Sequence, residues 1–197
     1  MGIFADSDDQ VKSDQPAYVK QNLQALFDKF HEPIIQNNYN GLLKTSFKYP
    51  ATHHITTFFV KKLDEIFFTN FEEGLSIPIE VLAMAYVPDK IICGVCLPDP
   101  NMIDIENKIP HMTLFVQDWA PRFSNNLLQA LFTDKGAPLA GEFKSGALLN
   151  PEKSIIGRYS LPVSETDGLS DVYFIKPANK ILRFEGTTRA FFGNNVP

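Results

Sequence analysis

Apolar residues recur along this chain with two different periods. Val19, Leu23, Leu26, Phe27 and Phe30 fall at helical spacing, with Asp14 and Pro16 suited to the start and Pro33 just past the end, so they predict an amphipathic helix. The stretch from Ser124 to Phe132 repeats that spacing, with Leu127, Leu128, Leu131 and Phe132 inward, Ser124 as the cap and Gly136 as the stop. Elsewhere the apolar bursts are short and rich in Val, Ile, Thr and Phe, which favours strands. Ile77 to Val87 and Ile91 to Leu97, around Pro88-Asp89, read as a hairpin. Val172 to Ile175 and Ile181 to Phe184 read as a closing hairpin, and Thr187 to Phe192 as a further strand. Residues 61–73 fit a short helix or an irregular crossing ended by Gly74, whereas Pro98 to Pro110 and Asn150 to Asp171 read as loops. Asp6 to Gln15 is acidic and without periodicity. Residues 1–15 therefore read as a flexible acidic tail, and residues 16–197 as a single domain.

Two further strands share a pattern. His54-Ile55-Thr56-Thr57-Phe58 and His111-Met112-Thr113-Leu114-Phe115 each run His, apolar, Thr, any residue, Phe, and the chain has only four histidines in all. In a strand, alternate side chains share a face, so His54 stands beside Thr56 and His111 beside Thr113. Imidazole has an ordinary pKa of about 6.5, so near neutrality one copy can accept a proton while the other donates one. In-line displacement at phosphorus needs a base and an acid on opposite sides, because the attacking water and the leaving oxygen are opposed. The threonine hydroxyls would hold the non-bridging oxygens. No metal is needed. Each proton transfer contributes about 10²–10⁴-fold, which suits a strained cyclic phosphate.

These paired His-apolar-Thr motifs resemble those of the 2H phosphoesterase superfamily, above all RNA 2′,3′-cyclic phosphodiesterases and the phosphodiesterase domains of tRNA ligases. The resemblance covers Tyr49 to Phe132, including Ile91-Ile92-Cys93-Gly94-Val95-Cys96-Leu97 and Asn107-Lys108-Ile109-Pro110-His111. It implies an α+β fold with two lobes, a pseudo-twofold pair of antiparallel sheets facing a central cleft with helices on the outer faces. It also implies that His54 and His111 are catalytic, that Thr56 and Thr113 bind phosphate, and that no cofactor is used. The substrate implied is a nucleotide or short RNA with a cyclic phosphate or a 2′–5′ linkage. Two features depart from the family pattern: the separation of the histidines is short, and Thr57 stands where an aliphatic residue is usual.

Composition narrows this picture. A net charge of −5 and a pI near 5.3 are not those of a general nucleic-acid binder. A terminal nucleotide or short oligonucleotide fits better than long RNA. Lys108 and Arg122 flank the motif in sequence as candidate phosphate contacts, and Trp119 is a candidate for stacking on a base. His31 reads as a helix-end residue, and His53 faces away from its neighbour His54. Cys93 and Cys96 form a C-x-x-C, but they are the only cysteines, and residues three apart on a strand point to opposite faces. They read as two reduced thiols, with a redox or zinc role as the rival. No apolar run is long enough to span a membrane and the first residues lack a basic leader, so a cytoplasmic location is expected. A rival to the enzyme is a catalytically silent phosphoesterase-like module that binds nucleotide or serves an assembly.

Overall fold

The period-two stretches pair as antiparallel strands. The computed structural model describes residues 2–5, 54–57, 72–99, 101–133, 136–144, 147–148, 153–176, 178 and 182–189. In chain order they form β1 (Gly2–Ala5), β2 (His54–Thr56), β3 (Ser76–Val87), β4 (Ile91–Pro98), β5 (His111–Val116), α1 (Phe123–Phe132), β6 (Phe143–Lys144), β7 (Ala147–Leu148), β8 (Ile155–Ser164), β9 (Gly168–Lys176) and β10 (Leu182–Arg189). Eight strands make one sheet in the order β10-β1-β2-β5-β4-β3-β9-β8, while β6 and β7 pair separately. The described residues are thus mostly antiparallel sheet with one helix, an α+β arrangement.

β3 organises the sheet because it is long enough to serve several partners. One side runs along β4. Its first half also pairs with β10 and its second half with β9. A register shift between Val81 and Ala83 marks the change of partner. Beyond it, side chains alternate between two apolar cores: Met84 and Tyr86 join one, with Ile55, Met112 and Leu114, whereas Ala83, Ala85 and Val87 join the other, with Leu127, Leu128 and Leu131 of α1. The sheet is therefore covered on both faces at its centre. Tyr86 faces Tyr173 across the β3–β9 ladder, and their rings stack at 4.9 Å. The β3–β4 turn holds Asp89 at φ 59°, in the left-handed region that Asp tolerates better than most residues.

Several sequence expectations change here. Gly2–Ala5 is a strand between β10 and β2, so the acidic tail does not begin at residue 1. Asn150 to Asp171 contains β8 and the start of β9 rather than loop. Pro162 fits a strand there because β8 lies at the end of the sheet and its register shifts between Leu161 and Ser164. The expected closing hairpin does not form: β9 pairs with β8 through a turn with Gly168 at φ 68°, and β10 pairs with β1 and β3. The two strands expected over 181–192 are one, Leu182–Arg189. Ser124 is not the cap of α1; Arg122 occupies that position and makes no side-chain capping bond. The helix expected over Val19 to Phe30, His31, His53 and most of residues 61–73 lie outside the described residues.

Candidate active site

The two motif strands are neighbours. β2 pairs with β5 antiparallel, with Ile55 opposite Met112. That register carries His54 opposite Thr113 and Thr56 opposite His111. Each imidazole therefore has a hydroxyl along its own strand and another across the ladder, where facing Cβ atoms stand about 4.5–5.5 Å apart. The square is held in place from behind: Ile55 and Met112 point through the sheet into the apolar core and are 0% and 1% exposed. His54, Thr56, His111 and Thr113 all line one cleft of about 980 Å³, between this end of the sheet and α1.

The two imidazoles differ in setting. His54 is half-buried and His111 buried. Nδ1 of His111 lies 2.8 Å from the carbonyl oxygen of Ile109. A carbonyl only accepts, so Nδ1 carries the hydrogen and the neutral ring keeps its lone pair on Nε2. Burial pulls the His111 pKa below its ordinary 6.5; the nearby His54 pulls the same way, and the Ile109 bond opposes both. At neutral pH His111 is thus an uncharged imidazole with one fixed tautomer, the form a general base requires.

The threonines also differ. Thr56 is exposed to the cleft. Oγ1 of Thr113 is held by the protein, 2.9 Å from Oγ of Ser124 and 3.3 Å from the Pro121 carbonyl. Ser124 is fully buried in the first turn of α1, so this contact fastens the helix to the motif strand. The first helical amides are spent locally: Phe123, Ser124 and Asn125 donate to the carbonyls of Ala120, Pro121 and Arg122. Lys108 and Arg122 both line the cleft and are exposed.

Trp119 is not among the cleft residues. It is 6% exposed, stacks on Phe123 at 5.0 Å, and donates its indole N–H to Asp167 at 2.8 Å. An aromatic ring and a carboxylate therefore already engage the ring that a base would need, and the core holds it. Cys93 and Cys96 are buried in different cores, as the strand alternation requires. Burial pushes the Cys93 thiol up to about 12 and raises that of Cys96 as well. Neither is the low-pKa thiolate that redox exchange needs. Among the described residues no group of three or more His, Cys, Asp or Glu is arranged to hold a metal ion.

Other cleft residues carry no motif signal. Glu106 and Asn107 arrive on the loop before β5, tied back where the Glu106 amide donates to the Thr57 carbonyl at 3.0 Å. Thr57 itself lines the cleft, 1% exposed, with its hydroxyl lacking a partner. Asn125 and Gln129 come from α1, and Thr133 is the residue that caps its end. Their spacing of four residues was readable in the sequence as a second, polar stripe beside the leucine face.

No protein-family model and no curated protein matches the chain. Among solved structures its fold is similar to that of a fungal RNA kinase, with a TM-score of 0.51 at 11% sequence identity, over 94% of this chain and 44% of the other. The chain thus spans less than half of that kinase's length, and at this identity the likeness is one of fold.

Proposed function

We propose that this protein is an RNA-processing phosphodiesterase that opens a 2′,3′-cyclic phosphate, or cuts a 2′–5′ linkage, by two-histidine acid–base catalysis without a metal. The observation that carries the reading is the β2–β5 register, which sets two His-Thr pairs diagonally on one face of one cleft. In this mechanism Nε2 of His111 takes a proton from water as the water oxygen bonds to phosphorus. The phosphorus–ribose oxygen bond breaks on the far side, and protonated His54 gives its proton to the leaving oxygen. Thr56, the Thr113 hydroxyl, Lys108 and Arg122 stabilise the charge on the non-bridging oxygens.

The fungal RNA kinase similarity supports RNA as the substrate class. A kinase reading fits this chain poorly. The phosphate-cradling loop of P-loop enzymes ends in Gly-Lys-Ser/Thr, and no Gly-Lys dipeptide occurs in the sequence. A silent nucleotide-binding module is the second reading, favoured by the Thr113 hydroxyl already being engaged by Ser124 and Pro121. Turnover of nucleoside 2′,3′-cyclic phosphates separates the two. The expected result is hydrolysis by the wild type and its near loss in His54→Ala and in His111→Ala, each still folded by circular dichroism. Wild-type rates in either variant would overturn the mechanism.

A further inference from the structure

α1 has no charged residue along its ten positions. Its leucine face is buried against the sheet, and Asn125, Gln129 and Thr133 lie together on the cleft side, with Arg122 one turn before them. Because Ser124 is bonded to Thr113, the start of the helix abuts the histidine square. The polar stripe therefore leads away from the histidines. From Arg122 to Thr133 the backbone climbs about 16 Å, at about 1.5 Å per residue, which is longer than one nucleotide. A cleft of about 980 Å³ is likewise at the top of the range, about 300–1,000 Å³, of pockets that enclose a single small ligand.

The chemistry of the lining changes along this path. Lys108 and Arg122, the cations, belong to the histidine end, and beyond them the described lining along α1 and its capping Thr133 offers only amides and a hydroxyl. Phosphates recruit Lys and Arg, whereas amides, which both donate and accept, match base edges and ribose hydroxyls. The Asn125 and Gln129 amides have no partner among the described residues, in contrast to Asn126, which is turned away to the Val163 carbonyl at 3.4 Å.

We propose that the α1 stripe binds the nucleosides on the 5′ side of the terminal phosphate, so that the substrate is a single-stranded RNA end of two or more nucleotides and not a mononucleotide. The terminal phosphate lies between the histidines, and Asn125 and Gln129 read the bases behind it. This rests on the phosphodiesterase reading of the cleft. Because the stripe is uncharged, the added nucleotides contribute affinity through hydrogen bonds and contact, with little release of counterions.

Calorimetry with two product-like probes, a nucleoside 3′-phosphate and a trinucleotide 3′-phosphate, tests this without needing turnover. The wild type should bind the trinucleotide tighter by about tenfold or more, as two added hydrogen bonds imply. That advantage should persist between about 50 and 200 mM salt and should largely vanish in the Asn125→Ala/Gln129→Ala variant. Both residues are exposed, so the substitutions leave the core alone. Equal affinities, an advantage that salt removes, or an advantage the double variant keeps would each overturn the proposal. A retained tenfold preference in a protein that hydrolyses no cyclic phosphate would instead sink the catalytic reading and leave the groove standing.

Discussion

His111 and His54 bring the same side chain to one cleft from different surroundings. His111 is buried and bonded to the Ile109 carbonyl; His54 is more open. Burial first, and His54 second, hold the His111 pKa below 6.5, against the Ile109 bond. A base fails when protonated, so the acid limb of kcat/KM should have its midpoint below pH 6.5, with more than half of the maximum retained at that pH. A pH–rate profile checks this, and a midpoint at or above 6.5 would count against His111 as the base. The same shift has a sign for stability. The fold favours the neutral ring, so its contribution is complete above the unfolded value of 6.5 and is lost as pH falls through the lower folded value. At this scale the motif residues were legible in sequence, because His-x-Thr on a strand places both groups on one face. The difference between the two imidazoles, on which the proposal of His111 as the base rests, was not, because it comes from burial and a loop carbonyl. Nor was the fate of Trp119, claimed by Asp167 from a distant turn and by Phe123.

Elements explain how the motif strands are held in place. The motif strand β5 lies between β2 and β4, and β4 presents Gly94 opposite Met112 and Met84. A Cβ at Gly94 would meet Val81 Cγ1 at 3.0 Å and Leu114 Cδ1 at 3.5 Å. Gly94→Val would be favoured by strand propensity alone. Packing should win, and the variant should lose about 1–3 kcal/mol in urea denaturation. A neutral or stabilising outcome would mean that the β4–β5 region has room to relax. The β3–β4 hairpin and the leucine face of α1 were readable because their periods are unbroken. β8 was not, although Tyr159, Leu161 and Val163 alternate with exposed Arg158, Ser160 and Pro162. Gly157 and Pro162 punctuate that run like a loop, and only its place at the end of the sheet makes them harmless.

The whole molecule sets the terms on which a phosphate can enter. A net charge of −5 gives no long-range attraction for a polyanion, so the proposed RNA substrate would depend on the cations that line the cleft, Lys108 and Arg122. In the described part of the cleft Glu106 is the acidic residue beside the two histidines, and no three-ligand group is arranged around a metal. If the two imidazoles carry the proposed acid–base catalysis, turnover of a cyclic phosphate should be unchanged by a chelator and unrestored by added divalent ions in either histidine variant. Loss of activity on chelation would refute acid–base catalysis by the imidazoles alone. No helix among the described residues is long and apolar enough to cross a membrane.

What the sequence determined was local: the strands of the β3–β4 hairpin, which face each histidine shares with its threonine, and which side of α1 is apolar. Those follow from the periods of strand and helix, which act between near neighbours in the chain. Tertiary structure decided what pairs with what. The meeting of β2 with β5, the insertion of β1 between β10 and β2, the return of β10 to β3 and the sharing of one cleft by the polar stripe and the histidines all join residues far apart in the chain. Strand pairing is satisfied by backbone groups that every residue carries, so the side-chain pattern marks a strand without naming its partner.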